Sequence, residues 1–199
     1  MKQIYILALA FMVLLSMTMS VEALEQKTLY RQNGISAYAD WTETTTEGIT
    51  TDNYLSVTES DDGTDIYLSI CTYDITGNGS CKSGYKFTQD NVFSMDKKFD
   101  SASLNTVQID LYQWNCDQNG CWETLADPAT IEATWTGTGD ISKGSYKWMS
   151  KYGDYISKGS SSSLSRDATA NGKINGNDLG ISDFAGLAKF KSMNIEMKK

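Results

Sequence analysis

From Ile35 onward, apolar and polar residues alternate with a period of two, which places them on opposite faces of a strand. Ile35, Ala37, Ala39 and Trp41 are separated by Ser36, Tyr38 and Asp40. Leu55 and Val57 alternate within 54–59, and Ile66, Leu68 and Ile70 alternate with Tyr67, Ser69 and Cys71. Asp61-Asp62-Gly63 separates these last two runs as a turn. A weaker strand pair is predicted over 85–93. In 101–115, Ala102 and Leu104 give way to Val107, Ile109 and Leu111 on the other parity. Such a shift predicts a bulge or a change of sheet. Trp122 and Thr124 mark the next strand, and Ile131, Ala133 and Trp135 the one after it. Pro128, the single proline, falls between them, where no ladder bond is lost.

Residues 24–33 read as a polar lead-in. Residues 137–163 are rich in Gly, Ser and Lys without periodicity and predict a long loop carrying Tyr146 and Trp148. A strand over 164–174 and a closing strand pair over 184–197 complete the pattern. There is no sustained helical period and no internal repeat. About ten short strands with turn signals predict an all-β fold, an antiparallel β-sandwich or jelly roll forming one domain over residues 24–199.

Met1 to Ala23 stands apart from this pattern. Lys2 precedes an apolar run from Ile4 to Met19, and Val21-Glu22-Ala23 carries compact residues at the positions a signal peptidase reads. This predicts a secretory signal peptide over 1–23 and a secreted chain that is extracellular or held at the cell surface. An uncleaved anchor is the competing reading, although the run is short for a span of about 20 residues. No later segment reads as a membrane span.

Four cysteines, Cys71, Cys81, Cys116 and Cys121, fit disulfides in an exported chain. Spacing favours Cys71–Cys81 and Cys116–Cys121, each pair closing its own hairpin around Gly77-Asn78-Gly79 or Asn119-Gly120. Histidine is absent, which excludes imidazole-based triads and histidine-ligated zinc. The net charge of −8 argues against a nucleic-acid partner. Residues 24–140 hold 6 basic and 19 acidic residues, a net of −13, whereas 141–199 hold 10 basic and 5 acidic, a net of +5. The two stretches either neutralise each other within one fold or drive attraction between copies or to an anionic polymer.

Several candidate sites each have a plainer reading. Asp167, Asn171, Gly172, Ile174 and Asp178 match positions of a dockerin-type calcium loop, against a strand followed by an Asn-Gly turn. Asp61, Asp62 and Asp65 offer oxygen ligands for calcium, against a solvated acidic turn. Asn78-Gly79-Ser80 fits an N-glycosylation acceptor. Trp114, Trp122, Tyr146 and Trp148 are candidate carbohydrate-stacking residues, against cross-strand packing. Trp41 and Trp135 share the phase of the core. Glu59 and Glu132 are the carboxylates a glycosidase would need.

The phrases Ser36-Ala-Tyr-Ala-Asp-Trp41, Met95-Asp-Lys-Lys-Phe99, Ser101-Ala-Ser-Leu-Asn105, Thr134-Trp-Thr-Gly-Thr-Gly139, Ser165-Arg-Asp-Ala-Thr-Ala170 and Ser182-Asp-Phe-Ala185 resemble a family of small uncharacterised secreted proteins of bacteria and archaea. The resemblance implies a self-contained extracellular β domain and carries no activity. The expectation is therefore a non-catalytic β domain acting by adhesion or carbohydrate contact. A self-assembling envelope or matrix protein is the alternative.

Overall fold

The structure, a computed structural model, describes residues 26–117 and 120–198. The segment 1–23 predicted as a signal peptide, the turn residue Asn119 and the side chains of Cys116 and Cys121 lie outside what it describes. The described residues form twelve strands and no helix, so none is long and apolar enough to cross a membrane. The strands are β1 (Gln26–Thr44), β2 (Thr50–Ser60), β3 (Gly63–Tyr73), β4 (Gly79–Thr88), β5 (Phe93–Met95), β6 (Ser101–Ile109), β7 (Tyr112–Asp117), β8 (Gly120–Leu125), β9 (Ala129–Gly137), β10 (Ser142–Tyr152), β11 (Tyr155–Ile174) and β12 (Asn177–Lys198). The chain forms two compact units.

The larger unit covers Arg31–Tyr146 and Ser160–Ser192. Its strands follow one hydrogen-bonded path, β5-β6-β9-β11-β12-β1-β2-β3-β4-β7-β8, rather than two separately bonded sheets, while β10 pairs with β11 off this path. The fold is all-β, and the strand pairs resolved in detail are antiparallel. Register aligns the apolar positions on one face. Ala37 opposes Val57, which opposes Ile66, and Ala39 opposes Leu55, which opposes Leu68. On the other arm Ala170 opposes Trp135, which opposes Ala102. All of these are buried. The shift of parity in β6 is a bulge between Leu104 and Val107, as the pattern requires.

Small residues make room for the large ones. Trp41 lies against Gly172, where a β-carbon would sit 2.7 Å from the indole, and its Nε1–H donates to the Ala170 carbonyl at 3.3 Å. Trp135 packs edge-on to Phe93, with ring centroids 6.0 Å apart, and donates its Nε1–H to the Tyr38 carbonyl at 2.9 Å. Both tryptophans are core residues, as their phase predicts. Arg166 ties β11 to the turn before β6: its guanidinium donates to the Gly139 and Phe99 carbonyls and pairs with Asp100 at 2.5 Å.

Several boundaries differ from the sequence reading. The stretch 101–115 is interrupted at Asp110–Leu111 and divides into β6 and β7, and 85–93 covers the end of β4 and the start of β5, which do not pair with each other. Residues 137–163 are not a loop but contain β10 and the start of β11, joined through Gly153 in a left-handed conformation, φ 57°. Every residue of β10 is exposed, so no buried face imposes alternation, and backbone pairing with β11 satisfies the strand. The lead-in already belongs to β1 from Gln26. The expected closing pair is one strand, β12, whose burial phase shifts between Ser182 and Ala185. There the Ser182 hydroxyl donates to the Asp40 carbonyl and accepts from the Phe184 amide.

The smaller unit holds Lys147–Gly159, Met193–Lys198 and the chain from Gln26 to Tyr30. Within it Trp148 lies over Gly159, where a β-carbon would approach the indole to 2.7 Å. The Ser157 hydroxyl donates to the Asn194 side-chain oxygen at 3.3 Å, and Lys198 Nζ stands 5.5 Å from the Tyr155 ring centre.

Candidate functional site

The outward positions of the larger unit carry its most distinctive chemistry. On the face opposite the core, six aromatic rings occupy six adjacent strands: Phe184 on β12, Tyr38 on β1, Tyr54 on β2, Tyr67 on β3, Tyr85 on β4 and Tyr112 on β7. Their exposure runs from 36 to 67 %, too much for core packing and enough for a ligand to reach each ring. Register makes the row continuous. Tyr67 faces Tyr85 directly. Tyr54 opposes Ser69 and so lies diagonal to Tyr67, with ring centres 6.2 Å apart. Tyr38 opposes Ser56, diagonal to Tyr54, and meets Phe184 edge-on at 5.8 Å. Tyr112 opposes Ser83, diagonal to Tyr85. Six strands at the usual spacing make a row of roughly 24 Å.

Two of these rings rest against glycines or neighbours that fix them. Tyr38 covers Gly186, where a β-carbon would come within 2.6 Å of the ring. The Tyr85 hydroxyl donates to Asp65. Carboxylates and hydroxyls fill the gaps: Asp52 accepts from Thr42 at 2.7 Å and shares the face with Ser56, Ser69 and Ser83. Asp40, opposite Tyr54, is pushed above the ordinary carboxylate range by burial and then by the negative charge of Asp52. Its Oδ1 is buried without a hydrogen-bond partner.

The predicted site residues distribute unevenly over this framework. Trp114 pairs with Glu123, and Asn115 with Trp122, so the two indoles project from opposite faces of the β7–β8 hairpin. They form neither a stacked pair nor one platform. Trp114, 62 % exposed, shares the face of Tyr112 and extends the row, whereas Trp122 does not. Tyr146 is exposed on β10 of the larger unit, and Trp148 belongs to the smaller unit, where Gly159 covers part of its indole.

Cys71 and Cys81 form a disulfide at directly opposed positions of β3 and β4, with 4.1 Å between their Cα atoms. Cys116 and Cys121 are likewise opposed in backbone register. Asn78 lies exposed in the β3–β4 turn. That turn is organised by Asp74, which accepts from the Thr76 hydroxyl at 2.6 Å and from the Thr76 and Asn78 amides. The hydroxyl bond first, then the backbone bonds, hold the Asp74 carboxyl below its ordinary range. A depressed folded pKa contributes stability above the unfolded value and loses it as pH falls through the folded one. Carboxyl NMR is therefore expected to show Asp74 titrating below a solvated aspartate, with the Asn78 amide losing exchange protection across the same interval. A midpoint at the ordinary aspartate value would contradict this.

The dockerin-like calcium loop is not formed. Asp167, Asn171, Gly172 and Ile174 lie along extended β11, and Asp178 on β12. Asn175 and Gly176, at φ 52° and 79°, make the tight turn between the strands. An extended strand points alternate side chains to opposite faces and cannot wrap them around one ion. Asp61 and Asp62 sit exposed in the β2–β3 turn, while Asp65 is on β3 and engaged by Tyr85. Among the described residues no group of three acidic, Cys or His side chains is placed to hold a metal.

Glu59 and Glu132 do not approach as a catalytic pair. Glu59 opposes Ile35 and the buried Thr64 on the inner face, whereas Glu132 alternates with the buried Ile131 and Ala133 and points outward. Hydrogen bonding from Thr106, then Lys173 at 3.2 Å, holds Glu132 below the ordinary range, the opposite of what a general acid requires.

The aromatic row is not evident as a row from the sequence because each ring lies on a different strand. Its signal was present: Tyr38, Tyr54, Tyr67 and Tyr85 all occupy the solvent phase of successive strands. Comparison with protein families, curated proteins and solved structures finds no match for this chain.

Proposed function

We propose that the chain is a secreted, non-catalytic β domain that contacts neutral polysaccharide through the aromatic face of its larger unit. The observation that supports this is the continuous row Phe184-Tyr38-Tyr54-Tyr67-Tyr85-Tyr112. A sugar ring offers a flat C–H surface that stacks on an aromatic face, while its hydroxyls need acceptors at the rim. Asp52, Asp65 and the interleaved serines supply such acceptors along the same strands. Contiguous exposed apolar area of this kind marks interaction surfaces. The Cys71–Cys81 disulfide is compatible with an oxidising compartment outside the cell.

The test is affinity electrophoresis and calorimetry against a panel of neutral polysaccharides. If each ring contributes about 1 kcal/mol, Tyr67→Ala with Tyr85→Ala weakens binding roughly 30-fold. Trp122→Ala, on the other face of its hairpin, leaves binding unchanged. No binding across the panel, or equal binding by the double variant, would sink the proposal.

The charge partition, −13 over 24–140 and +5 over 141–199, favours a second reading in which copies assemble through opposite charges. It requires concentration-dependent association in sedimentation that disappears as salt shortens the Debye length.

A further inference from the structure

A separate cleft of about 680 Å³ opens in the larger unit, lined among others by Lys143 and Ser145 of β10, Ser162 and Ser163 of β11, and Lys189 and Lys191 of β12. We infer that it binds a small ligand bearing an oxyanion (a phosphate, sulfate or carboxylate group) through these lysines and serines. Its size falls in the range of small-molecule sites.

Lysine geometry carries the inference. Lys189 and Lys191 are two residues apart on one strand, so their side chains leave the same face about 7 Å apart. Lys143 approaches from β10, which pairs with β11, the neighbour of β12. Three lysines thus line one concavity together with Ser145, Ser162 and Ser163, whose hydroxyls are neutral donors. The ion pairs among the described residues are Arg166–Asp100 and Lys173–Glu132, so no described carboxylate lies within ion-pair distance of these three lysines. Gathering unneutralised cations in a cleft raises the local concentration of an anion.

The surrounding charge limits the occupant. The chain as a whole carries −8, and residues 24–140 carry −13. A long, dense polyanion leaving the cleft would be repelled by that surface, whereas a ligand with one or two charges would not. This site differs from the aromatic row in residues, in charge and in ligand chemistry, and either stands without the other.

Calorimetry and NMR titration of the full chain at low salt with inorganic phosphate, sulfate, glucuronate and glucose test the site. At least one of the three anions is expected to bind in the millimolar range, with affinity falling several-fold as salt rises, while glucose does not reach the cleft. The strongest of the three identifies the charged group. Lys189→Gln with Lys191→Gln lowers affinity tenfold or more with the melting temperature unchanged, since both residues are exposed. Lys173→Gln, whose lysine pairs with Glu132 elsewhere, leaves binding intact. Tyr67→Ala also leaves it intact, which separates this result from the polysaccharide test. Absence of binding by all three anions, equal binding by the double variant, or much tighter binding of single-stranded DNA at the same lysines would overturn the assignment.

Discussion

Replacing Trp135 by alanine is expected to destabilise the protein by about 3–5 kcal/mol, the range for removing a large aromatic from a packed core. Trp135 is 1 % exposed and lies between β6 and β11, with Ala102 and Ala170 as its opposed neighbours. Those alanines are too short to refill the space, so collapse around the cavity is limited. Truncation also leaves the Tyr38 carbonyl without its indole donor and Phe93 without its edge contact. For a chain of this size the loss corresponds to a fall in melting temperature of roughly 6–20 °C. Trp135→Phe separates the contributions, because it keeps most of the ring and removes the N–H. Its cost is expected at about 1–3 kcal/mol, the penalty of an unsatisfied buried acceptor. A Trp135→Ala variant that melts with the parent would mean that this core is not packed as described.

Gly84→Val is expected to cost about 3 kcal/mol through overpacking rather than loss of contact. Gly84 is buried on β4, and a β-carbon there would stand 2.1 Å from the Asp110 carbonyl oxygen and 2.8 Å from Ile109 Cγ2. The nearest atom is backbone, so it cannot rotate away, and relief requires β4 to move from the end of β6. Gly77→Ala provides the contrast. Nothing lies within 4 Å of a β-carbon at Gly77, but its φ of 81° is left-handed. The expected cost there is about 1–2 kcal/mol from backbone conformation alone. Denaturant midpoints measure both, and equal effects would remove the distinction between crowding and strain.

Period-two alternation made the core strands legible because one face of each is buried. It located Ala37, Ala39 and Trp41, the bulge in β6, and the Asn175-Gly176 turn. Where burial on one face is absent, the signal disappears, and β10 therefore reads as loop. The Gly153-Asp154 turn was the available clue, since such a pair suits a tight hairpin. β12 departs in the opposite sense, running as one continuous strand where the pattern predicts a pair over 184–197.

Site residues were legible only where local pairing decides them. Cys71 and Cys81 could be matched from the hairpin between them. The opposed orientations of Trp114 and Trp122 depend on a register that places Asn115 across from Trp122, which the intervening sequence alone does not fix. The aromatic row is a property of five strand pairings at once. Each tyrosine is an ordinary solvent-phase residue on its own strand, and only lateral alignment turns them into a surface.

Rings resting on bare backbone recur in this chain: Tyr38 on Gly186, Phe190 on Gly34, Trp148 on Gly159 and Trp41 on Gly172. In each case the aromatic side chain occupies the volume that its partner's missing methyl leaves open. Drift at one member is therefore constrained by the other, since a gained methyl evicts the ring and a lost ring bares the glycine's peptide. Divergent copies of this chain should exchange such couples jointly where the ring alone fills the space, leaving a correlated trace at 38 with 186 and at 41 with 172.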